Sequence, residues 1–424
     1  MTLFATDHPL TVDKDISSQA FWQKSFDERD QTFSWLRQHA PVSWHAPLED
    51  PSVPPEVHGE KGFWAVTRQA DIQHVSQHHE LFSSEIGSVQ LRPRNPATVQ
   101  PPSFLELDPP RHTEYRRIMS AAFTPKAVRR LTDQIDARAA QIIDNVVGAG
   151  RIDLVEQVSS RLPMLTIADL VGVPESLTET FAQAGDRLIS AAYGDEDLLQ
   201  GQKPADFLLA QVKILAEIGN EMVAHRRRQP TDDIATALAQ ANLDGRPFTG
   251  EEIASVMVLL SVAGNDTTKQ TTSATVWSMH RWPEQKEWLA ADFDGRIGGA
   301  IEEFVRHASP VMQFSRTATQ DVELGGQLIS TGDKVGIFYC SGNRDESVFE
   351  DPFTFDLSRR PNPHVGFGGG GVHYCLGNGI AKAQLRALFR EILTKLPKLE
   401  VVGEPTPMRS EFINGITRMT VDTH

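Results

Sequence analysis

Apolar side chains recur at helical spacing along residues 248–285 and predict a long amphipathic helix. The apolar face is formed by Ile253, Val256, Met257, Leu259 and Leu260. Thr249, followed three residues later by Glu252, indicates a capping box at the N-terminus, and Pro283 indicates the end. We therefore expect one helix of more than about thirty residues, roughly 50 Å long at about 1.5 Å per residue.

The rest of the pattern predicts a mainly α fold with a minor β part. Residues 111–310 are mainly helical in pattern, and a further helix is expected to start at Cys375 and to run to residue 393. No repeat and no clean linker divides the chain. We therefore expect a single domain over residues 1–424, with residues 1–20 extended or poorly ordered.

Three stretches predict the β part. Residues 62–77 fit a strand followed by a helix. Residues 322–340 fit short strands separated by glycine-containing bends, and the last of these strands would contain Cys340. Residues 411–424 alternate weakly and predict a hairpin.

A polar cluster, Ala263 to Thr268, interrupts the long apolar helix. Gly264 weakens the helix there, and the carboxyl group of Asp266 stands beside the hydroxyl group of Thr267. In one interpretation the threonine hydroxyls bond back to carbonyl groups one turn earlier. We favour a second, in which the cluster loosens the helix, opens a groove for a small ligand and relays protons.

Composition and charge narrow the class of protein. The chain has 424 residues and a net charge of −15, which argues against a nucleic-acid partner. Two cysteines exclude a disulfide framework and fit a reducing cytoplasm. The N-terminus does not resemble a signal peptide, and the longest apolar run, residues 256–264, is too short to span a bilayer. We expect a cytoplasmic protein without a membrane anchor.

The glycine-rich stretch of residues 363–377, "PHVGFGGGGVHYCLG", has three possible interpretations. It fits the dinucleotide fingerprint, but no convincing strand precedes it. It offers His373 and Cys375 as zinc ligands, whereas a structural zinc site usually has four. The third interpretation is a thiolate ligand for heme iron, because glycines leave room for a flat macrocycle and let backbone N–H groups approach the sulfur atom.

In this stretch the sequence resembles the cytochromes P-450, the heme-thiolate monooxygenases, and the resemblance covers roughly residues 60–420. It implies that Cys375 is the axial ligand of heme b, and that the heme lies between the long central helix and the cysteine loop of a large triangular fold. Asp266 and Thr267 match the oxygen-activation motif of the family as its catalytic pair. Glu303, Arg306 and Arg359 match its structural Glu-x-x-Arg pair and the arginine that joins them.

The resemblance also implies which residues contact the heme and the substrate. Those matching the heme contacts are His112, Arg116, Arg316 and His373 for the propionates, with Phe367, Gly368, Gly377, Ala263 and Gly264. Those matching an apolar substrate pocket are Val262, Ala263, Thr267, Val311, Met312, Phe314, Phe412 and Ile413, with residues 85–105 and 188–193.

Phe367 stands eight residues before Cys375, one more than in most members of the family. This spacing resembles the bacterial branch that hydroxylates sterol side chains, methyl-branched lipids and terpenoids. The implied reaction is hydroxylation of an unactivated C–H bond with O2 and two electrons from a ferredoxin and its reductase, by a monomer. The alternatives are a heme-thiolate protein that binds a ligand without oxygenation and a peroxide-driven hydroxylase.

Basic residues on the cysteine side predict where an acidic ferredoxin docks. They include Arg129 and Arg130, and Lys382 and Arg386 in the helix after the cysteine.

Overall fold

The computed structural model describes residues 8–9, 11–50, 53, 55–93, 103–120, 123, 125–192, 199, 201–243 and 245–424. The chain divides into two compact units. The first comprises Met1–Pro109, Val305–Cys375 and Arg409–Asn414, and the second comprises Pro110–Phe304, Leu376–Met408 and Gly415–His424. Helices predominate, which confirms the mainly α fold with a minor β part. That the chain is one domain stays a prediction.

The first unit is built around a five-stranded sheet. Its strands lie in the order Val42–His45, Phe63–Val66, Lys334–Ile337, Phe314–Ala318 and Phe82–Ser83. The second and third strands in this order pair in parallel, with Val335 opposite Trp64, and the other pairs are antiparallel. All four residues of Phe63–Val66 are buried, because side chains cover both faces of the sheet.

The strand Phe63–Val66 shows how the two faces are filled. Successive side chains point to opposite faces, so Trp64 and Val66 belong to one apolar cluster and Phe63 and Ala65 to another. The prediction of a strand followed by a helix is confirmed. The described helices that lie wholly in this unit are Gln19–Trp22, Phe26–His39, Pro55–His58, Gln69–Gln77 and Tyr339–Gly342, with a 3-10 turn at Phe104–Glu106.

The short strands predicted over residues 322–340 are confirmed. Val322–Leu324 and Gln327–Ile329 form a hairpin, and Lys334–Ile337 follows. Gly325 and Gly326 make the bend with φ of 59° and 75°, in the left-handed region that favours glycine. The placement of Cys340 in a strand is wrong: the chain turns into the short helix Tyr339–Gly342 after the last strand.

The second unit is mostly helical. Its helices are Arg111–Ser120, Pro125–Asp144, Arg161–Val171, Glu175–Ala192, Pro204–Arg226, Ile234–Gln240, Gly250–Arg281, Pro283–Ala291 and Asn378–Lys395, with a π-helical turn at Val155–Ser159. The helix Phe293–Ala308 is divided between the units: its residues up to Phe304 belong to the second unit and those from Val305 to the first. Among the described helices, none has both the length and the apolar character required to cross a bilayer.

The long helix Gly250–Arg281 has 32 residues and confirms the prediction. Thr249 is the N-cap, and its hydroxyl and the Glu252 carboxylate form the predicted capping box. The expected loosening at residues 263–268 is wrong, because the helix is continuous there. A Cβ atom on Gly264 would lie 2.1 Å from Ile167 Cδ1, so this glycine lets the helix Arg161–Val171 approach closely.

The minor strands of the second unit include the C-terminal residues. Thr420–Asp422 lies between Glu400–Val401 and Arg151–Asp153, whereas Ile416–Arg418 pairs with Thr406–Pro407. The predicted C-terminal hairpin is therefore wrong, since the two consecutive strands find partners elsewhere. Asn242–Leu243 and Arg246–Pro247 form a small separate hairpin.

The capping box generates a testable pH dependence. Hydrogen bonds from Arg246 and Thr249, which outweigh the opposing effect of burial, lower the pKa of Glu252 from 4.5 to about 2. The native state therefore binds this proton less readily than the unfolded state. The resulting stabilisation is complete above about pH 4.5 and is lost as pH falls towards about 2.

We expect Glu252→Gln to lower the free energy of unfolding at pH 7 by about 1 kcal/mol. Urea unfolding at pH 7 and pH 3 measures it, and the difference from the unmodified protein should shrink at pH 3. Glu251→Gln, at the exposed neighbouring position, is the control and should have a smaller effect. A loss that is the same at both pH values would contradict this account.

Candidate active site

The loop of residues 363–377, here called the cysteine loop, is folded by its own backbone. Cys375 N–H donates to Phe367 C=O over 3.0 Å, and Gly368 N–H donates to Val365 C=O over 2.9 Å. Gly368 and Gly371 have φ of 101° and 73°, which a residue with a side chain rarely adopts. The glycines thus allow the chain to curl back from Phe367 to the cysteine.

Some of these glycines serve packing against the rest of the first unit. A Cβ atom on Gly369 would lie 2.5 Å from Ser76 Oγ, and one on Gly371 would lie 2.3 Å from Ser76 C=O. Gln77 Nε2 also donates to Gly369 C=O over 3.0 Å. The loop is therefore pressed against the helix Gln69–Gln77, a reason for these glycines that sequence reasoning did not find.

Gly368 and Gly377 differ from the packed glycines. A Cβ atom on Gly368 would have its nearest neighbour at 3.9 Å, and one on Gly377 at 4.0 Å. A Cβ atom at either position would therefore make only an ordinary van der Waals contact. In the segment that ends at Cys375, Gly368 thus lacks the close packing of Gly369 and Gly371, which fits the heme that the sequence implies.

The two cysteines have contrasting surroundings. Cys340 is 1% exposed, and burial, the larger effect, together with Asp30 raises the pKa of its thiol to about 12. Cys375 is half-buried and lies three residues before the helix Asn378–Lys395. The prediction that the helix starts at the cysteine is thus wrong by three residues, but the positive end of the helix dipole still lies close to the thiol.

Arg306 is fully buried and ties down the segment that leads to the cysteine loop. Its guanidinium donates to the carbonyl groups of Asn343 and Pro352 at 2.8 and 2.7 Å. Arg359 donates to the carbonyl groups of Glu350 and Asp351 at 2.6 and 3.2 Å. Both arginines thus bind backbone carbonyl groups of this segment, and the structural role that the resemblance implies for them stays a prediction.

Glu303, the third member of the predicted structural set, is also fully buried. It belongs to the second unit, whereas the two arginines belong to the first.

The four predicted propionate partners are distributed over both units. Arg316 and His373 belong to the first, and His112 and Arg116 lie on the helix Arg111–Ser120 of the second. Burial lowers the pKa of the Arg316 guanidinium, with Tyr339 and Asp108 opposing this effect. A buried cation is stabilised by a nearby anion, so a heme propionate suits this side chain.

Thr267 and Asp266 occupy adjacent positions with different contacts. The Thr267 hydroxyl donates to Ala263 C=O over 3.0 Å, which is the back-bonding interpretation that the sequence had left as the alternative. Asp266 is 1% exposed, and its Oδ1 lies 2.8 Å from Lys269 Nζ. Its Oδ2 is buried and has no hydrogen-bond partner among the described residues.

Lys269 is the residue that sequence reasoning missed. Its Nζ also lies 2.6 Å from Asp186 Oδ1, so one buried ammonium bridges a buried and a partly exposed carboxylate. Burial would lower the pKa of Lys269, but the two carboxylates outweigh it and the pKa is raised. The lysine therefore stays charged and holds Asp266 beside a counter-ion. Its position three residues after Asp266 on one helix was the available signal.

Five predicted substrate-pocket residues come together in the first unit. Val311 forms a β-bridge with Ile413, and Met312 N–H donates to Phe412 C=O over 2.8 Å. The rings of Phe314 and Phe412 are 5.3 Å apart, edge to face. Val311, Phe314 and Phe412 are only half-buried, so this apolar cluster still presents surface to a ligand.

The other predicted pocket residues lie elsewhere. Val262 and Ala263 are on the long helix, where Ala263 is exposed. Residues 94–102 and Tyr193 lie outside the described residues.

Two of the basic residues predicted to dock the ferredoxin already have acidic partners. Lys382 Nζ lies 2.7 Å from Glu302 Oε1, and Arg386 Nη2 lies 3.0 Å from Asp294 Oδ1. Arg129 is exposed.

Comparison with known proteins gives matches along almost the whole chain. A family model of cytochrome P450 matches residues 53–418. A methyl-branched lipid omega-hydroxylase of Mycobacterium tuberculosis is 38% identical over 417 residues, which cover 97% of this chain and 94% of that protein. A steroid C26-monooxygenase of the same species is 37% identical over 399 residues, which cover 92% and 88%.

A solved structure also matches almost the whole chain. Mycobacterium marinum cytochrome P450 CYP268A2 in complex with pseudoionone superposes with a TM-score of 0.91 at 46% identity, covering 98% of this chain and 100% of that one.

The two kinds of glycine in the cysteine loop should respond differently to a methyl group. Gly371→Ala forces a side chain onto Ser76 C=O at a positive φ, so we expect a loss of about 2 kcal/mol in the free energy of unfolding, with or without heme. Gly377→Ala has space and a φ of −85°, so the heme-free protein should keep its stability. Urea unfolding of both forms measures this. Equal losses in the two heme-free variants would contradict the distinction.

Proposed function

Because this chain belongs to the cytochrome P450 family, whose monooxygenases use a cysteine-ligated heme b, we propose that it hydroxylates an unactivated C–H bond of an apolar substrate. The family and the mainly α cytochrome P450 fold predicted from the sequence are confirmed. The heme, once bound, supplies the O2 chemistry. The protein has to hold the iron, orient the substrate and control protons.

The contrast between the two cysteines is the observation that carries the proposal. Cys340 cannot readily supply a thiolate, because its pKa is raised to about 12 in a buried apolar cluster. Cys375 is half-buried, follows a loop in which Gly368 is not closely packed, and precedes a helix N-terminus. We therefore assign Cys375 as the iron ligand, with Arg316, His373, His112 and Arg116 binding the propionates.

Asp266 and Thr267 are proposed to manage protons. Lys269 Nζ contacts Oδ1 of Asp266, so the buried Oδ2, which has no hydrogen-bond partner among the described residues, is the atom proposed to accept a proton. Rotation of the Thr267 side chain away from Ala263 C=O frees its hydroxyl to donate or accept. An acid beside a hydroxyl can then pass protons inward.

The substrate is proposed to be a methyl-branched lipid, a terpenoid or a steroid. The cluster of Val311, Met312, Phe314, Phe412 and Ile413 is apolar. The relatives at 37–38% identity are named for a methyl-branched lipid and a steroid, and the 46%-identical structure holds pseudoionone. All three molecules are dominated by hydrocarbon.

The electron donor is proposed to be a ferredoxin with its reductase, and the enzyme is proposed to be a cytoplasmic monomer. Since Lys382 and Arg386 have acidic partners, Arg129 is the better candidate for binding an acidic donor. Arg130, whose side chain the structure does not describe, stays a prediction.

The proposal is tested by turnover with ferredoxin, reductase, NADPH and ¹⁸O₂ on pseudoionone, testosterone and a methyl-branched fatty acid. Mass spectrometry should find one ¹⁸O atom in a hydroxylated product. A hydroxylated product without ¹⁸O, or product that forms with peroxide but not with O2 and the electron donors, would refute it.

Thr267→Ala should lower the product formed per electron consumed by about tenfold, since the hydroxyl no longer directs the proton. Thr271→Ala is the matched control: its hydroxyl bonds to Thr267 C=O over 2.8 Å in the same manner, one turn further along. NADPH consumption and product are measured together. Unchanged coupling in Thr267→Ala would contradict the proton role.

Lys269→Met should destabilise the protein by about 3 kcal/mol, because it leaves Asp266 buried without a counter-ion. The double variant Asp266→Asn/Lys269→Met should regain most of that stability but remain poorly coupled, since the acid is gone. Urea unfolding and product per electron measure the two effects. If the double variant is no more stable than Lys269→Met, the two side chains are not an energetic pair.

A further inference from the structure

Arg92 joins three segments of the first unit. Its Nε and Nη2 lie 2.9 and 3.1 Å from the two carboxylate oxygens of Glu411, and its Nε lies 3.5 Å from Asp50 Oδ2. The contact with Glu411 is therefore bidentate, which fixes direction as well as distance. The Asp50 and Glu411 side chains are only 8% and 12% exposed, so the interaction is partly shielded from water.

Glu411 belongs to the turn Arg409–Asn414, which carries Phe412 and Ile413. Ser410 Oγ accepts hydrogen bonds from the N–H groups of Phe412 and Ile413 at 3.0 and 2.9 Å. Asn414 Nδ2 donates to Ala308 C=O over 2.7 Å. The inner side of the turn is thus held by neutral hydrogen bonds, whereas the Glu411 side chain is held by its charged contacts with Arg92.

We propose that Arg92 is a specificity-determining positioning residue, which acts through Glu411 to set where the Phe412 ring stands against the ring of Phe314. This inference rests on the proposed function, because it takes the apolar cluster as the substrate surface. Phe412 directly follows Glu411 and is half-buried, and the centre of its ring lies 5.3 Å from that of Phe314. A shift of the turn therefore reshapes the surface against which an apolar substrate lies.

The charges predict that loss of Arg92 and loss of Glu411 have different effects on the position of the turn. Removal of Arg92 leaves the Glu411 and Asp50 carboxylates without the cation that binds both, and like charges repel. Removal of the Glu411 charge leaves Arg92 still beside Asp50. Loss of the arginine should therefore displace the turn more than loss of the glutamate.

The test is a titration of the heme-loaded enzyme with pseudoionone and with testosterone, followed by the shift of the Soret band. Arg92→Gln should raise Kd by about tenfold and Glu411→Gln by about threefold. Product analysis should show additional hydroxylation positions in Arg92→Gln, which a merely stabilising residue would not cause.

Glu346→Gln is the matched control. It breaks another bidentate pair of the first unit, in which Arg37 donates to Glu346 at 2.8 and 2.9 Å. The Glu346 side chain contacts Ser34 and Arg37 rather than the turn. Its Kd should stay that of the unmodified enzyme. A Kd in Arg92→Gln no higher than in Glu346→Gln overturns the proposal, as does a larger effect of Glu411→Gln than of Arg92→Gln.

Hydrogen exchange at the amides of Phe412 and Ile413, measured in the full heme-loaded protein, tests the interaction of Arg92 with Glu411 without a substrate. These amides should exchange faster in Arg92→Gln than in Glu346→Gln, and equal rates overturn the proposal. If neither probe shifts the spectrum of the unmodified enzyme, the proposed substrate class fails, and the exchange rates still decide whether Arg92 positions the turn.

Discussion

The site depends on a contact that leaves no room for side chains. The cysteine loop is pressed against the helix Gln69–Gln77 so closely that a Cβ atom on Gly369 or Gly371 would collide with Ser76. Arg306 fixes the preceding segment through carbonyl groups, and the Asn343 side chain accepts from Val365 N–H over 2.8 Å. Packing and hydrogen bonds thus hold the sulfur-bearing end of the loop before any heme binds.

A second constraint is electrostatic. The carboxylate of Asp266 is almost completely buried, and such a charge is tolerated only beside a counter-ion. Lys269 supplies that charge and shares it with Asp186, which is partly exposed. The long helix therefore carries a buried acid beside its counter-ion without a break in its backbone. The acid and the hydroxyl are held by separate partners, so each can be altered alone.

The predictions from the sequence were best for features that depend on residues close together in the chain. The capping box at Thr249 and the stop at Pro283 placed the long helix, because both signals act within one turn. The short strands before residue 338 followed from alternation and glycine bends. The family was recognisable because the motif around Cys375 is short and contiguous.

What escaped prediction depends on partners distant in sequence. The strands Ile416–Arg418 and Thr420–Asp422 pair with segments that alternation cannot identify, so the hairpin was wrong. Asp186 is 83 residues from Lys269, and only the fold brings them together.

The central claim is that Cys375, held by the packed loop, is the thiolate ligand of the heme. The absorption spectrum of the reduced, carbon-monoxide-bound protein tests it most directly. The unmodified protein and Cys340→Ala should both show the strongly red-shifted Soret band of a thiolate-ligated heme, and Cys375→Ala should lose it. A red-shifted band that persists in Cys375→Ala, or that disappears in a folded Cys340→Ala protein, would contradict the account.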